Sequence, residues 1–414
     1  MRMRIGKKHL LYALVITSSF ISAGVTALDS YISGKYINNA WVFGFSIFFV
    51  GFFATLFLSL ILSITYKKKS LGARFIDPSF KRLRLLKKKE LKYNLVAGFM
   101  NAANTIGYCI LISLVYDPSV LLSFSQIVIL YLLLIESFTE KNVPTLAEVQ
   151  SAIIVTFGAI LASISLQGAI DIQSLVIVFL LINPTWAFFS IYQRKLKMIR
   201  INGKLNDSIN IRFWNVVFSF LFISLIILIW DILFGSHYII EGFYASINFF
   251  PWIFLTMSTT FFAYVLFIRS LGLGSASVNN AIRSSTIIFA LPFSALLAYY
   301  GLTPFSADPV MLLIKVIGMV LIVMGIISYA LTIVKAYIFI TVKPGYSRKN
   351  VLQKLWDIPG ISHVSATAGK YDFIVKVSTR TLVKGYEKIV KKIDDIEEIK
   401  TYKWNSVLKD WENI

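Results

Sequence analysis

The sequence predicts an α-helical polytopic membrane protein with a small α+β domain at its C-terminal end, on three observations. Of its 414 residues, 57% are hydrophobic and only 15% charged, where a soluble domain carries roughly 25% charged residues. The apolar residues gather into ten stretches of membrane-crossing length. From residue 336 that pattern stops, and short segments with the periods of strands and helices replace it.

Stretches of roughly 20 apolar residues, enough to cross a hydrocarbon core, run over 9–33, 41–66, 92–115, 118–138, 145–165, 172–192, 212–234, 246–270, 276–300 and 308–334. Lys and Arg between them alternate in density. One set of segments holds Arg2, Arg4, Lys7 and Lys8, the cluster from Lys67 to Lys92, Lys141, the run from Arg194 to Lys204, and Arg269; the opposite set holds only Lys35. The positive-inside rule then puts both chain ends in the cytoplasm of a multi-pass protein in the cell membrane. It also accounts for the net charge of +20 by helix orientation instead of nucleic-acid binding. The basic stretch Phe80–Leu91 reads as part of that signal, with a headgroup-binding amphipathic helix as the alternative.

Several classes are disfavoured. Cys109 is the one cysteine, so neither an intramolecular disulfide nor a cysteine metal cluster is expected. His9, His237 and His363 are scattered, and no glycine-rich phosphate loop occurs. No metal, cofactor or enzymatic activity is expected. The first apolar run is too long for a signal-peptide core.

Tyr108–Phe138 and Tyr264–Ser294 look alike, each a helix end followed by a long apolar helix. Each is closed in turn by a helix with late glycines, Gly158 in one and Gly318 and Gly325 in the other. Five spans separate the copies, and an odd number inverts their orientation, as in the inverted repeats of secondary transporters. The repeats cover about 9–165 and 172–335. On the span count, the two halves and those helices, residues 9–335 resemble the EamA-like ten-helix members of the drug/metabolite transporter superfamily. Many EamA-like halves end their fourth helix with a Gly-Glu pair. Here Glu136 or Glu140 lacks that glycine, and the second half has no acid there. The resemblance implies a secondary transporter.

In the tail, Ile338, Ile340 and Val342 share one face of a strand. Val351, Leu355 and Ile358 share a helix face, and strands follow over 361–367 and 371–378. Leu382, Tyr386, Ile389 and Ile393 mark a second helix, and 399–405 closes the pattern. The order βαββαβ is the ferredoxin-like unit. The segments Ala336–Gly345, Ile358–Ile361 and Gly369–Val377 resemble the ligand-binding (RAM) domain of the Lrp/AsnC family, so 336–414 reads as such a domain. That resemblance implies a homodimer through the tail and a small effector, commonly an amino acid, held near Gly369, Tyr371 and Asp372. The alternative is that Gly369 only shapes a turn and Asp372 only caps it. A membrane helix stands where those regulators carry a helix-turn-helix, so no nucleic-acid partner is expected.

Polar groups inside apolar spans are costly and mark function. Arg283 leads, with Asn279 and Asn280 nearby, and the repeat sets Ser125 and Gln126 opposite Arg283 and Ser284. Asn101, Asn104 and Asn183 would line the same cavity, or hydrogen-bond between helices. Arg283 would offer a forked cation to a carboxylate or phosphate, with snorkelling as the alternative. Asp29 and Lys315 read as snorkelling or mutually paired, and Trp186, Trp214 and Trp252 as packing residues. The combined expectation is a lipid-embedded transporter of a small polar metabolite, an amino acid or organic anion, with an effector-sensing, dimerising tail. A membrane sensor without transport, or a tail that only oligomerises, are the alternatives.

Overall fold

A computed structural model describes residues 7–115, 125–140, 146–162, 172–201, 203–301, 309–331, 334–358, 360–379 and 389–407. Contacts divide the chain into two units, 1–135 with 152–326, and 136–151 with 327–414.

The first unit is helical. α1 (Lys7–Lys35) leads to α2 (Ala40–Ser63). Asn39 caps α2, its Oδ1 accepting from the backbone N–H groups of Trp41 (2.9 Å) and Val42 (3.3 Å), which satisfies two donors the helix leaves open. α2 stops at Ser63, short of the expected 66. Ile64 turns extended, and a hairpin of β1 (Thr65–Tyr66) and β2 (Lys69–Ser70) follows. Its turn residues Lys67 and Lys68 both have positive φ, 48° and 67°, the tight-turn conformation that matches strand twist. α3 (Leu71–Phe75) comes next, and α4 (Lys88–Val115) begins where Glu90 folds back to accept from the Lys87 N–H at 3.0 Å, half of a capping box. Residues 81–87 form neither helix nor strand, so the amphipathic-helix alternative for this stretch is not what the chain adopts.

α5 (Val128–Glu140) and α6 (Leu146–Ala162) follow. α7 (Ile172–Ile177) passes through a π-helical turn at Val178–Ile182 into α8 (Asn183–Met198). Pro184 explains the irregularity, since it has no N–H to give. The loosened carbonyls find side-chain donors: Asn183 Nδ2 to Val178 (3.0 Å), Asn104 Nδ2 to Ile182 (2.8 Å) and Tyr131 OH to Phe179 (2.6 Å). A second hairpin, β3 (Arg200–Ile201) with β4 (Lys204–Leu205), leads to α9 (Ser208–Phe234). α10 (Tyr238–Asn248), α11 (Phe250–Leu271), α12 (Ala276–Arg283), α13 (Thr286–Tyr299) and α14 (Pro309–Leu331) complete the helices.

Helix lies within each of the ten expected stretches. Among the described residues, six are long and apolar enough to cross a membrane: His9–Lys35, Ala40–Ser63, Lys88–Leu114, Ser208–Phe234, Phe250–Leu271 and Ala276–Tyr299. Val149–Gly158 and Val316–Gly325 are shorter apolar helices. The principal helix neighbours are α1 with α11 and α13, α2 with α9, α10 and α11, and α4 with α8 and α9. Small residues set the closest crossings. A Cβ on Gly98 would stand 2.4 Å from the Phe218 Cβ, and one on Gly158 2.6 Å from the Gly318 carbonyl oxygen.

In the second unit β5 (Val334–Val342), α15 (Arg348–Trp356), β6 (Ile361–Ala366), β7 (Phe373–Thr379), α16 (389–394) and β8 (Ile399–Val407) build one antiparallel sheet of order β6–β7–β5–β8 with helices against it. Alternate residues of β5, Ala336, Ile338, Ile340 and Val342, point into the core, where Val351 and Leu355 of α15 and Ile389 and Ile393 of α16 meet them. Leu382 and Tyr386 lie outside the described residues.

Candidate functional site

A cavity of about 160 Å³ lies in the first unit, lined from α1, α2, α4, α8, α9, α11, α12 and α13. Its volume is below the ~300 Å³ at which drug-sized pockets begin, so it suits a small metabolite. Of the residues singled out in the sequence, Arg283, Asn280, Asn104, Asn101 and Ser125 line it. Asn279 does not line it: it is fully buried and donates to the Ser275 carbonyl at 2.8 Å. Asn183 turns back on its own helix, and the side chain of Gln126 lies outside the described ones.

Arg283 does not snorkel. Its guanidinium lies over the rings of Trp186 (4.5 Å to the centroid) and Phe267 (4.8 Å). Trp186 is held in turn by donating to Asn280 Oδ1 at 2.9 Å, while Asn280 Nδ2 reaches Ser190 at 3.3 Å. Among the described residues the one side-chain acceptor on Arg283 is Ser22 Oγ at 3.3 Å, and its Nη1 is buried with no partner.

A second arginine enters the same cavity. Arg212, on the second turn of α9, is 5% exposed, stacks at 4.0 Å from the Tyr264 centroid and donates weakly to Asn215 Oδ1 at 3.4 Å; its Nε is unpartnered. Tyr264 faces both cations, with Arg283 at 5.8 Å. Among the described residues neither arginine has a carboxylate within ion-pair reach. Two buried cations without a carboxylate partner are expensive. Arg212 escapes a reading of the sequence because it opens an apolar run, where a snorkelling side chain is the default. Trp186 escapes it because tryptophan reads as packing.

Asp29 corrects another expectation. It is 3% exposed, lines the cavity and accepts from Thr256 Oγ1 at 2.7 Å and Tyr108 OH at 3.1 Å. It therefore faces inward and does not snorkel. The side chain of Lys315 lies outside the described ones.

At the ends of these helices the basic segments are not simply solvated. Lys197 is buried and ion-paired to Asp77 (2.6 Å), and also donates to the Asn206 carbonyl (2.7 Å). The same Asp77 oxygen accepts from the Ser208 N–H (2.8 Å) and hydroxyl (2.7 Å). Arg84 forks onto Glu90 at 2.7 and 2.8 Å, and Asn206 bridges the two by accepting from Arg84 and donating to Glu90. Burial pushes the Asp77 carboxyl up, but the Lys197 ammonium and the hydrogen bonds from Lys197, Ser208 and Ser79 outweigh it and hold the value at about 2. Burial pushes Asp207 up to about 6, against its hydrogen bonds from Asn210.

These two shifts act in opposite pH windows. The stability Asp77 contributes is present above 3.8 and lost as pH falls through about 2. Asp207 is the reverse, its contribution complete below 3.8 and lost as pH rises through about 6. Lowering pH from 7 to 5 is therefore expected to stabilise the protein through Asp207 by about 1 kcal/mol. Asp207→Asn keeps an N-cap for α9 and should flatten that part of the thermal-midpoint-versus-pH curve, read as wild type minus variant.

In the tail, Asp372 is already engaged. It accepts from the Val342 N–H at 2.8 Å, and Arg348 pairs with its other oxygen at 2.7 Å. Tyr371 packs on Phe339 at 5.1 Å between centroids. Gly369 has no positive φ, and a Cβ there would meet nothing within 4 Å, so the turn does not require glycine, contrary to the steric reason expected for it. Gly369→Ala is expected to leave the thermal midpoint of the tail unchanged, within about 0.5 kcal/mol; a larger loss would show a constraint the open space does not.

No curated protein matches the chain. A solved structure described as "Crystal structure of protein" is 14% identical over 78% of this chain and 96% of its own, with a TM-score of 0.47, a level at which likeness adds nothing to the fold above. Residues 335–412 match the Lrp/AsnC ligand binding domain. The match to the Lrp/AsnC ligand binding domain thus covers the tail of a chain that also holds helices of membrane-crossing length.

Proposed function

We propose that the chain is a secondary transporter of a small organic anion, amino acids included, whose tail binds an effector and pairs with a second copy. It is proposed not to be an enzyme. The observation that carries the reading is the cavity lined by both Arg212 and Arg283, each over the Tyr264 ring and neither with a carboxylate partner among the described residues. Such a site gains most from an incoming carboxylate or phosphate, which the planar guanidinium fork fits in two-pronged geometry.

The ten-span inverted repeat is part of this proposal, and the helix neighbours support it. Numbering the ten helical stretches in chain order, exchanging each with the one five places on turns the α1–α11 pair into α8–α4. The same exchange turns α4–α9 into α11–α2 and leaves α2–α9 on itself; all of these are neighbours. Two halves related by pseudo-two-fold symmetry give this pattern. The EamA-like assignment and cytoplasmic ends belong to the same reading, supported by the lysine and arginine distribution.

The test is a thermal-shift screen of the full-length protein against amino acids, dicarboxylates and inorganic phosphate, repeated on Arg283→Gln. A shift lost in the variant assigns the compound to the cavity, and one retained assigns it to the tail. Cavity ligands then enter proteoliposome flux assays. Binding without flux would replace the transporter with a membrane sensor.

A further inference from the structure

Among the described residues the cavity holds one acid, Asp29, besides its two cations. Arg283 reaches α1 at Ser22, and Asp29 lies seven residues further along that helix, on the order of 10 Å at the helical rise. Asp29 thus stands about two helical turns from the α1 residue that Arg283 reaches. Among the described residues Asp29 has no hydrogen bond or ion pair with either arginine, which leaves it open to a role of its own.

Its surroundings suggest one. Thr256 of α11 donates to one oxygen and Tyr108 of α4 to the other, with Thr26 of its own helix beside Tyr108. The other titratable or charged groups on packed elements are Cys109 of α4, Tyr264 of α11 and Arg283 of α12, with Arg212 of α9 across the cavity. None forms an ion pair with Asp29 among the described residues. Hydroxyls both donate and accept, so the same partners serve a carboxylate or a carboxylic acid. A cation-paired acid would lack that freedom. Acids of this kind inside membrane helices mark proton pathways.

We propose that Asp29 is a proton-binding site in the transport cavity, separate from the anion site and coupled to it through space. Anion at the arginines disfavours the Asp29 carboxylate across the cavity, and proton loss there favours the anion's release. At a separation on the order of 10 Å and an effective dielectric of roughly 20, each site would shift the other about tenfold. The proposal rests on the transport reading for its purpose, but proton binding is read without substrate or flux.

The experiment is infrared difference titration of purified full-length protein, following the carbonyl band of a protonated carboxylic acid. The expected result is a component of that band, read as wild type minus Asp29→Asn, that grows on acidification and persists in Arg283→Gln with its midpoint raised by about one pH unit. Should Asp29→Asn fail to fold, Thr256→Val and Tyr108→Phe each remove a donor to the charged form and should raise the midpoint. A wild-type titration indistinguishable from Asp29→Asn overturns the proposal, as does a band present at every pH. Suppression of the band by sodium but not choline overturns it in favour of a sodium site. An intact Asp29 band beside anion binding unaffected by Arg283→Gln would sink the anion-site reading alone.

Discussion

Arg283→Gln is expected to lower the affinity of any cavity-bound anion at least about thirtyfold, while the protein's thermal midpoint stays level or rises. The two halves of this result have one cause. In the unliganded protein the guanidinium is held by ring faces and one 3.3 Å hydrogen bond, with Nη1 unpartnered. Removing it relieves an uncompensated charge. In the liganded protein that charge has its anion, and deleting one partner of a buried charge pair costs about 2–5 kcal/mol, which sets the thirtyfold floor. A purely structural arginine would behave oppositely, losing stability with no change in ligand affinity. Arg283→Lys should fall between, since it keeps the charge but loses the fork and the stacking on Trp186. Calorimetry on an anion identified by the screen, beside thermal scans without it, reads both halves. Unchanged affinity in Arg283→Gln would remove the anion receptor from the cavity.

That site is half legible in the sequence, and the reason is local. Arg283, Asn280, Asn101 and Asn104 stand out because a polar group inside an apolar run has few cheap explanations. Arg212 and Asp29 sit near the ends of such runs, where snorkelling is the ordinary explanation, and only the packing shows both turned inward. The tail is legible strand by strand: a period of two by itself assigns Ile338, Ile340 and Val342 to one face, and that face is the core. The end of α2 is not, because hydropathy continues past Ser63 while the backbone turns at Lys67 and Lys68. Gly369 misleads for a related reason. Its residue type permits a left-handed turn, but type alone does not say whether the turn uses one.

Lys197→Met is expected to be among the most destabilising single changes in the chain, by about 3–5 kcal/mol, and Asp77→Asn in the Lys197→Met background is expected to recover much of the loss. Neither residue reads as special in sequence. Lys197 lies in a basic run of the kind that orients helices, and its partner is 120 residues away, so no local pattern links them. The structure buries both, with side chains 4% and 3% exposed. Besides the ammonium, Asp77 collects the Ser208 N–H and hydroxyl on one oxygen and the Ser79 N–H on the other. Taking away the ammonium strands that carboxylate where water cannot solvate it, and breaking a buried pair from one side costs about 3–5 kcal/mol. The amide introduced by Asp77→Asn carries no charge to strand, and its oxygen still accepts from Ser208. A double-mutant cycle on thermal or denaturant midpoints therefore separates the worth of the pair from the penalty of half of it. A double-variant loss equal to the sum of the two single losses would mean that the two residues act independently, with the aliphatic stem of Lys197, packed beside Gly272, mattering through its shape and not its charge. The coupling would then be absent, and the segments would be held together by the Ser208 hydrogen bonds and apolar contact without help from the ion pair.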